Sequence, residues 1–349
     1  MNESFTSWLA GAAALAAVGC SSEEPAPPPD FDATAAALAN DGVLPAGARF
    51  VDAIVALDDA IGTLCGGSPP DATAVETSRE RWREASRVWN RYAIYDFGPM
   101  SDGIPTPADA FIDSFKAFRQ GESHVETLRT ELRTIVADGT DLSGDDFTAR
   151  TYQRVGLVAL EVALFETAVE PPDPAAAAVA DELSASPNKC TYLEKQSEVL
   201  RDRAVALDAA WRPDGGDYLA TYLSSTSDAL GAVLTAVQGH LEYLERRSIA
   251  NRGAPISGIS YENIDATMDE LEVLLNAGDA DSLASRLEQA QAQAVRDDHA
   301  TRIAAARAAI GAEDPDALGP ELVALGTIHL NDIPQALGIT LGLNFTDGD

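Results

Sequence analysis

Residues 154–166 read RVGLVALEVALFE, with Glu161 alone inside an apolar run. On a helix, Gly156, Val158 and Glu161 fall within two turns, and Leu157, Leu160, Val162, Leu164 and Phe165 surround them on every side. Such a helix is buried. A buried charge without a partner is costly, so Glu161 must be paired, protonated, coordinating an ion or set at the lip of a cavity. Arg87 and Arg91 on a Trp-bearing segment are the expected companions, and Arg154 lies two turns before Glu161. A bidentate Arg–Glu bond would lock two helices together; alternatively, Glu161 and Arg87 would grip a small polar ligand in a cleft.

The remaining chemistry is sparse. His124, His240, His299 and His329 fall on different expected helices, and none belongs to an H-x-x-E or H-E-x-x-H pattern, so each reads as a surface or satisfied core histidine. His240 and Glu242 project about 200° apart and are not a ligand pair. No Gly-rich phosphate loop follows a strand and no G-x-S-x-G occurs, which leaves nucleotide binding and serine hydrolysis without support. No catalytic residue is assigned. Asp347 and Asp349 in the tail, with Asp332, offer oxygen ligands for a hard cation such as calcium.

The elements that must position these groups are helical. After residue 33 nearly every segment has a 3.6-residue period, and no alternating β-branched run could seed a sheet. Helices are predicted at 46–64, 72–95, 107–118, 122–137, 147–168, 174–184, 189–211, 216–248, 261–276, 280–310 and 316–340, separated by turn sequences such as GGSPPD, EPPDP and RPDGGD. Thr73 and Glu76 form a plausible capping box for the second. Leu193, Leu200, Ala204, Leu207 and Trp211 make a bundle-facing stripe, as do Leu219, Leu223, Leu230, Leu234, Val237 and Leu241. An all-α fold of two packed helical bundles follows, residues 33–170 and 171–349.

With 349 residues and 46% apolar content the chain can bury a full core. Its net charge is −32 and its only lysines are Lys116, Lys189 and Lys195, which removes the electrostatic footprint for nucleic acid. Residues 1–19 read as a signal peptide: Trp8–Val18 is apolar but shorter than the about 20 residues of a membrane span. AAVGC then leads to Cys20 and a Pro-rich tether over 20–32, the pattern of a lipoprotein anchored through Cys20, with a plain secretory signal as the alternative. The residue after Cys20 is not Asp, which points to the outer membrane, with the body facing the periplasm or the exterior. In an oxidising compartment Cys65 and Cys190 are either a disulfide or two buried free thiols.

Four stretches together resemble the imelysin-like family of bacterial exported proteins. They are W82REASRVWNRYAIYDFGPM100, similar to a W-x-x-x-R-x-x-W segment running into F-G-P; A110FIDS114, in place of I-D-x-W-P; R154VGLVALEVALF165, similar to the helix with G-x-H-x-x-E; and L337GITLGLNFTDGD349, similar to an L-G-x-x-x-G-F-N-x-x-D-G-D ending. The resemblance implies two packed helical bundles outside the cytoplasm, and members variously described as metallopeptidases, iron-regulated surface proteins or relatives of a ferrous-iron uptake component. In G-x-H-x-x-E the His and Glu share a helical face and can share zinc or iron. Here Gly156 and Glu161 match, but Val158 stands at the His position, and Ala93 stands where a second carboxylate is usual. Asp113 matches the aspartate of the second motif. The resulting expectation is a non-enzymatic binding or interaction lipoprotein linked to iron acquisition, with an outer-membrane or iron-transport partner; the alternatives are a metallopeptidase and an envelope scaffold docking a membrane partner. Iron, zinc or calcium are the cofactors the resemblance and the acidic tail leave open.

Overall fold

The computed structural model of the chain describes residues 31–67, 69–101, 107–114, 121–248, 254 and 256–341. Among these, every regular element is helical. α1 (Asp32–Ala37) continues through a π-helical segment, Leu38–Val43, into α2 (Leu44–Gly66), whose Phe50, Ile54, Leu57, Ile61 and Leu64 form one buried stripe at three- and four-residue spacings. α3 (Ala72–Tyr92) packs along α2, burying Trp82, Trp89 and Tyr92, with the Trp89 ring centroid 5.1 Å from that of Phe50. Asp71, not Thr73, caps α3: its backbone is extended and its carboxylate accepts from the Ala74 amide at 2.8 Å, while Glu76 pairs with Arg79 instead of folding back.

α4 (Gly121–Asp138), α5 (Leu157–Phe165), α6 (Ala176–Ala185) and α7 (Pro187–Ala210) complete one group: α7 lies along α2, α5 and α6 lie against α3, and α4 meets α5 and α7. The stripe Leu193, Leu200, Ala204 and Leu207 of α7 is buried, and Trp211 lies buried just past its end. Cys65 at the end of α2 and Cys190 in the first turn of α7 form a disulfide, with Cα atoms 5.4 Å apart.

α8 (Tyr218–Leu223) leads to α9 (Thr226–Tyr243), α10 (Ser260–Asn276), α11 (Leu283–Gln289), α12 (Gln293–Gly311), α13 (Pro315–Thr327) and α14 (Ile333–Leu337). α12 pairs with α13, α13 with α9, and α10 lies against α12 on one side and α3 on the other. Packing therefore does not divide at residue 170: α6 and α7 belong with the N-terminal helices, and the chain from Phe31 onward clusters as one compact unit.

Several helices are shorter than their periodicity suggests. The expected 147–168 helix holds 3-10 turns at Phe147–Ala149 and Tyr152–Arg154 and becomes α-helical only at Leu157. Gly156 causes the break, with φ +87° and ψ −166°, a conformation essentially reserved for glycine. In the expected 107–118 helix the described part is a 3-10 turn, Asp109–Phe111. The 280–310 segment breaks where Gln291 turns left-handed, and 316–340 passes through a π-helical segment at Ile328–Asp332. The signal segment, Cys20 and most of the tether, and Asp347 and Asp349 of the tail, lie outside the described residues.

Candidate functional site

All nine residues of α5 are buried, as expected of a helix apolar on every side. Glu161 at its centre has no solvent exposure. Its Oε1 accepts from the Ser257 hydroxyl at 2.7 Å, the Ser257 amide at 2.8 Å and the Ile256 amide at 3.3 Å. Its Oε2 is equally buried and meets no donor among the described residues. No arginine among the described residues reaches it. Burial pushes the Glu161 carboxyl up to about 7, against the pull of the Ser257 and Ile256 donors toward the charged form. Near neutral pH the group therefore exchanges between a carboxylic acid and a carboxylate.

The frame around α5 is built from the motif residues. A Cβ on Gly156 would lie 2.5 Å from the Ile112 carbonyl oxygen and 2.8 Å from that of Phe111, so glycine is required for close approach as well as for its backbone angles. That approach lets the Leu157 amide donate to the Ile112 carbonyl at 2.9 Å. Trp82 on α3 donates its indole N–H to the Leu157 carbonyl at 2.8 Å. Asp113 accepts from the Tyr243 hydroxyl at 3.0 Å and from the Trp89 indole at 3.4 Å, so it ties α3 to α9 and is not a partner of Glu161.

The expected partners of Glu161 are engaged elsewhere. Arg87 bonds to Glu80 and Glu84 on its own helix, and Arg154 is exposed. Arg91 donates to a second buried acid, Glu270 on α10, at 3.0 Å. Glu270, with no exposure, also accepts from Arg49 at 3.1 Å and from the Tyr95 hydroxyl at 3.1 Å. It closes a polar seam between α3 and α10 in which Asn263 donates to the Ser86 hydroxyl at 3.0 Å and the Thr267 hydroxyl donates to the Asn90 carbonyl at 3.1 Å. Sequence reasoning missed this seam. The signal was present in Asn263, Thr267, Glu270 and Leu274, a row at helical spacing that mixes polar with apolar residues and marks a face buried against another polar face.

The loop that holds Glu161 has a second side. Ala254 and Gly258 line a cleft of about 690 Å³ together with Arg87 and the carboxylates Glu262, Asp265 and Asp269. All four histidines are buried. His124 shares a hydrogen bond with Ser114 at 2.7 Å, and His240 faces Thr267 at 3.4 Å. The Nε2 atoms of His299 and His329 lie 3.2 Å apart, a pairing between helices thirty positions apart that spacing in the sequence does not reveal.

With this geometry in view, the comparisons with known proteins are decisive for the family. The family model for imelysin matches residues 43–327. The chain belongs to the imelysin family. An imelysin-like protein from Psychrobacter arcticum superposes with a TM-score of 0.71 at 18% identity, covering 89% of this chain and 97% of that one. A Parabacteroides distasonis protein described as an iron-regulated protein A precursor superposes at 0.59 with 15% identity, covering 90% and 96%. No curated protein matches the chain significantly. Both likenesses place the all-helical architecture in the imelysin fold.

The resemblance to a G-x-H-x-x-E helix makes α5 the place to test for a metal, and the residues present here do not suit one. Val158, at the motif's histidine position, is buried and apolar, and Ala93 has no exposure and no ligand atom. Glu161 has one oxygen already held by three donors, leaving a single ligand atom where zinc or iron takes four or more. Among the described residues no three His, Cys, Asp or Glu side chains converge.

Glu161 instead leaves a proton signature. Its folded pKa is raised above that of the unfolded chain, so protonated Glu161 favours the fold, and this contribution is full below about pH 4.5 and lost as pH rises through about 7. The span amounts to about 3 kcal/mol at most. Glu161→Gln keeps an oxygen for Ser257 and removes the titration. Denaturant midpoints measured across this window are expected to fall with pH in the parent relative to the variant, and the variant is expected to match or exceed the parent near pH 8; parallel pH profiles would contradict the assignment.

Proposed function

We propose that this imelysin-family protein is an exported, non-enzymatic binding protein of the cell envelope that serves iron acquisition through a partner and not through peptidase chemistry. The observation that carries the reading is the motif helix: it keeps the glycine turn, the Trp82 bond and Glu161, yet offers Val158 in place of a histidine and one free carboxyl oxygen in place of a ligand set. Such a site keeps a buried acid with hydrogen-bonding capacity to spare but without the donor set of a transition-metal centre. The iron setting is supported by the description of the Parabacteroides relative as an iron-regulated protein precursor. Two measurements test the chemistry. Elemental analysis of purified protein after exposure to iron, zinc and calcium is expected to find no stoichiometric transition metal that depends on Glu161, and no chelator-sensitive cleavage of a protein substrate is expected. One iron or zinc per chain, lost in Glu161→Gln, overturns the reading.

The proposed lipid anchor is supported by the apolar segment Trp8–Val18 and the small residues before Cys20, and its outer-membrane address by Ser21, not Asp, after that cysteine. No described helix is long and apolar enough to cross a membrane. Metabolic labelling with palmitate is expected to mark the protein and to vanish in Cys20→Ser; unlabelled parent protein would leave a plain secretory signal as the answer.

A further inference from the structure

In a chain with 56 acidic and 24 basic residues, an arginine in an apolar setting without a carboxylate needs a reason. Arg203 on α7 is such a residue. Its neighbours on the same stretch are paired, Arg201 with Asp58 and Asp202, Arg212 with Asp208. Arg203 forms no ion pair among the described residues. Its Nη2 donates to the Thr148 carbonyl at 3.3 Å, its guanidinium stacks 4.2 Å from the Phe111 ring centroid, and its Nη1 is shut off from water and meets no acceptor among the described residues. Burial accordingly pulls its pKa below the usual guanidinium range. A half-buried donor left unsatisfied is a standing cost, and hydrogen bonds to a charged acceptor are the strongest way to remove it.

The surroundings define what would bring that acceptor. Arg203 lines a pocket of about 370 Å³ whose other walls include Pro99, Phe111, Ile112, Ala206 and Leu207. Volume and lining match a small-ligand site, mostly apolar with one polar group to fix orientation. The pocket shares Phe111 and Ile112 with the frame of the Gly156 turn, and the enclosed Glu161 is not among its lining residues.

We propose that this pocket binds a small amphiphilic carboxylate, with its hydrocarbon part against Ile112, Ala206 and Leu207 and its carboxylate on the Arg203 guanidinium. The planar fork of an arginine matches a carboxylate in two parallel bonds, and no acid stands among the described residues that line the pocket. Reaching Nη1 requires the guanidinium to tilt out of its stack on Phe111; a charge-assisted bidentate pair outweighs a cation–π contact of this kind. An ammonium amphiphile would meet a like charge and is excluded.

Calorimetric titration of the purified full chain with octanoate, octanol and octylamine tests this. Octanoate is expected to bind one per chain, at least tenfold tighter than octanol, with no binding of octylamine. Arg203→Met, which keeps the apolar stem, should weaken octanoate at least tenfold and leave octanol unchanged, and Arg203→Lys should restore part of the loss. Ala206→Phe, at an exposed position on the pocket wall, should abolish binding of both while far-UV circular dichroism stays that of the parent. Equal affinity for octanoate and octanol, octanoate binding untouched by Arg203→Met, or no saturable octanoate binding by the folded parent overturns the proposal.

Discussion

Removing the Cys65–Cys190 bridge, by reduction or by Cys65→Ala with Cys190→Ala, is expected to lower stability by about 4–5 kcal/mol. The bridge closes a span of 125 residues, and the entropy it withholds from the unfolded chain grows with the logarithm of that span. In the native state it joins the end of α2 to the first turn of α7, two helices already packed along their lengths, so little native freedom is lost by keeping it. Denaturant unfolding with and without reductant measures the difference. A midpoint that does not move on reduction would show that the two helices hold each other in the unfolded ensemble as well, and the entropic account would be wrong. The bridge also ties stability to compartment, because only an oxidising environment preserves it.

A comparable effect is expected at the α3–α10 seam. In Arg49→Met with Arg91→Met, Glu270 keeps only the Tyr95 hydroxyl, and its charge is left buried at a cost of roughly 3–5 kcal/mol. Tyr95 remains a neutral donor in this setting, since burial and the Glu270 charge hold its hydroxyl well above the usual phenol range. The arginine side chains are 42% and 28% exposed while Glu270 is fully buried, so the cost of the change falls on the acid. Adding Glu270→Met to the pair should therefore recover most of the stability, making the triple variant firmer than the double. Urea titrations of the three proteins decide it, and a triple variant weaker than the double would place the energy in direct packing instead of in the orphaned charge.

These two sites show how unevenly the sequence speaks. The stripe on α7 was legible because it depends on spacing within a single helix. Cap choice was less so: Asp71 and Thr73 are both good capping residues, and the backbone conformation just before the first turn decided for Asp71. Helix breaks at Gly156 and Gln291 were obscured because the apolar period continues across them, and only close backbone approach, at Gly156 to the Ile112 carbonyl, made the interruption necessary.

By itself the sequence determined the all-α class, the family motifs and the burial of Glu161, because helix periodicity, turn chemistry and an apolar surround are local properties. Tertiary structure alone decided the partners. Glu161 is met by Ser257, 96 positions away, and Arg91 by Glu270, 179 positions away. Two buried acids and several arginines admit many pairings of similar chemistry, and which one forms depends on which helix faces are brought together. Here α10 presents Glu270 to the arginines of α2 and α3, and the loop before it covers Glu161 with a serine and two amides, so the acid at the centre of the motif helix is left with a free oxygen and a movable proton.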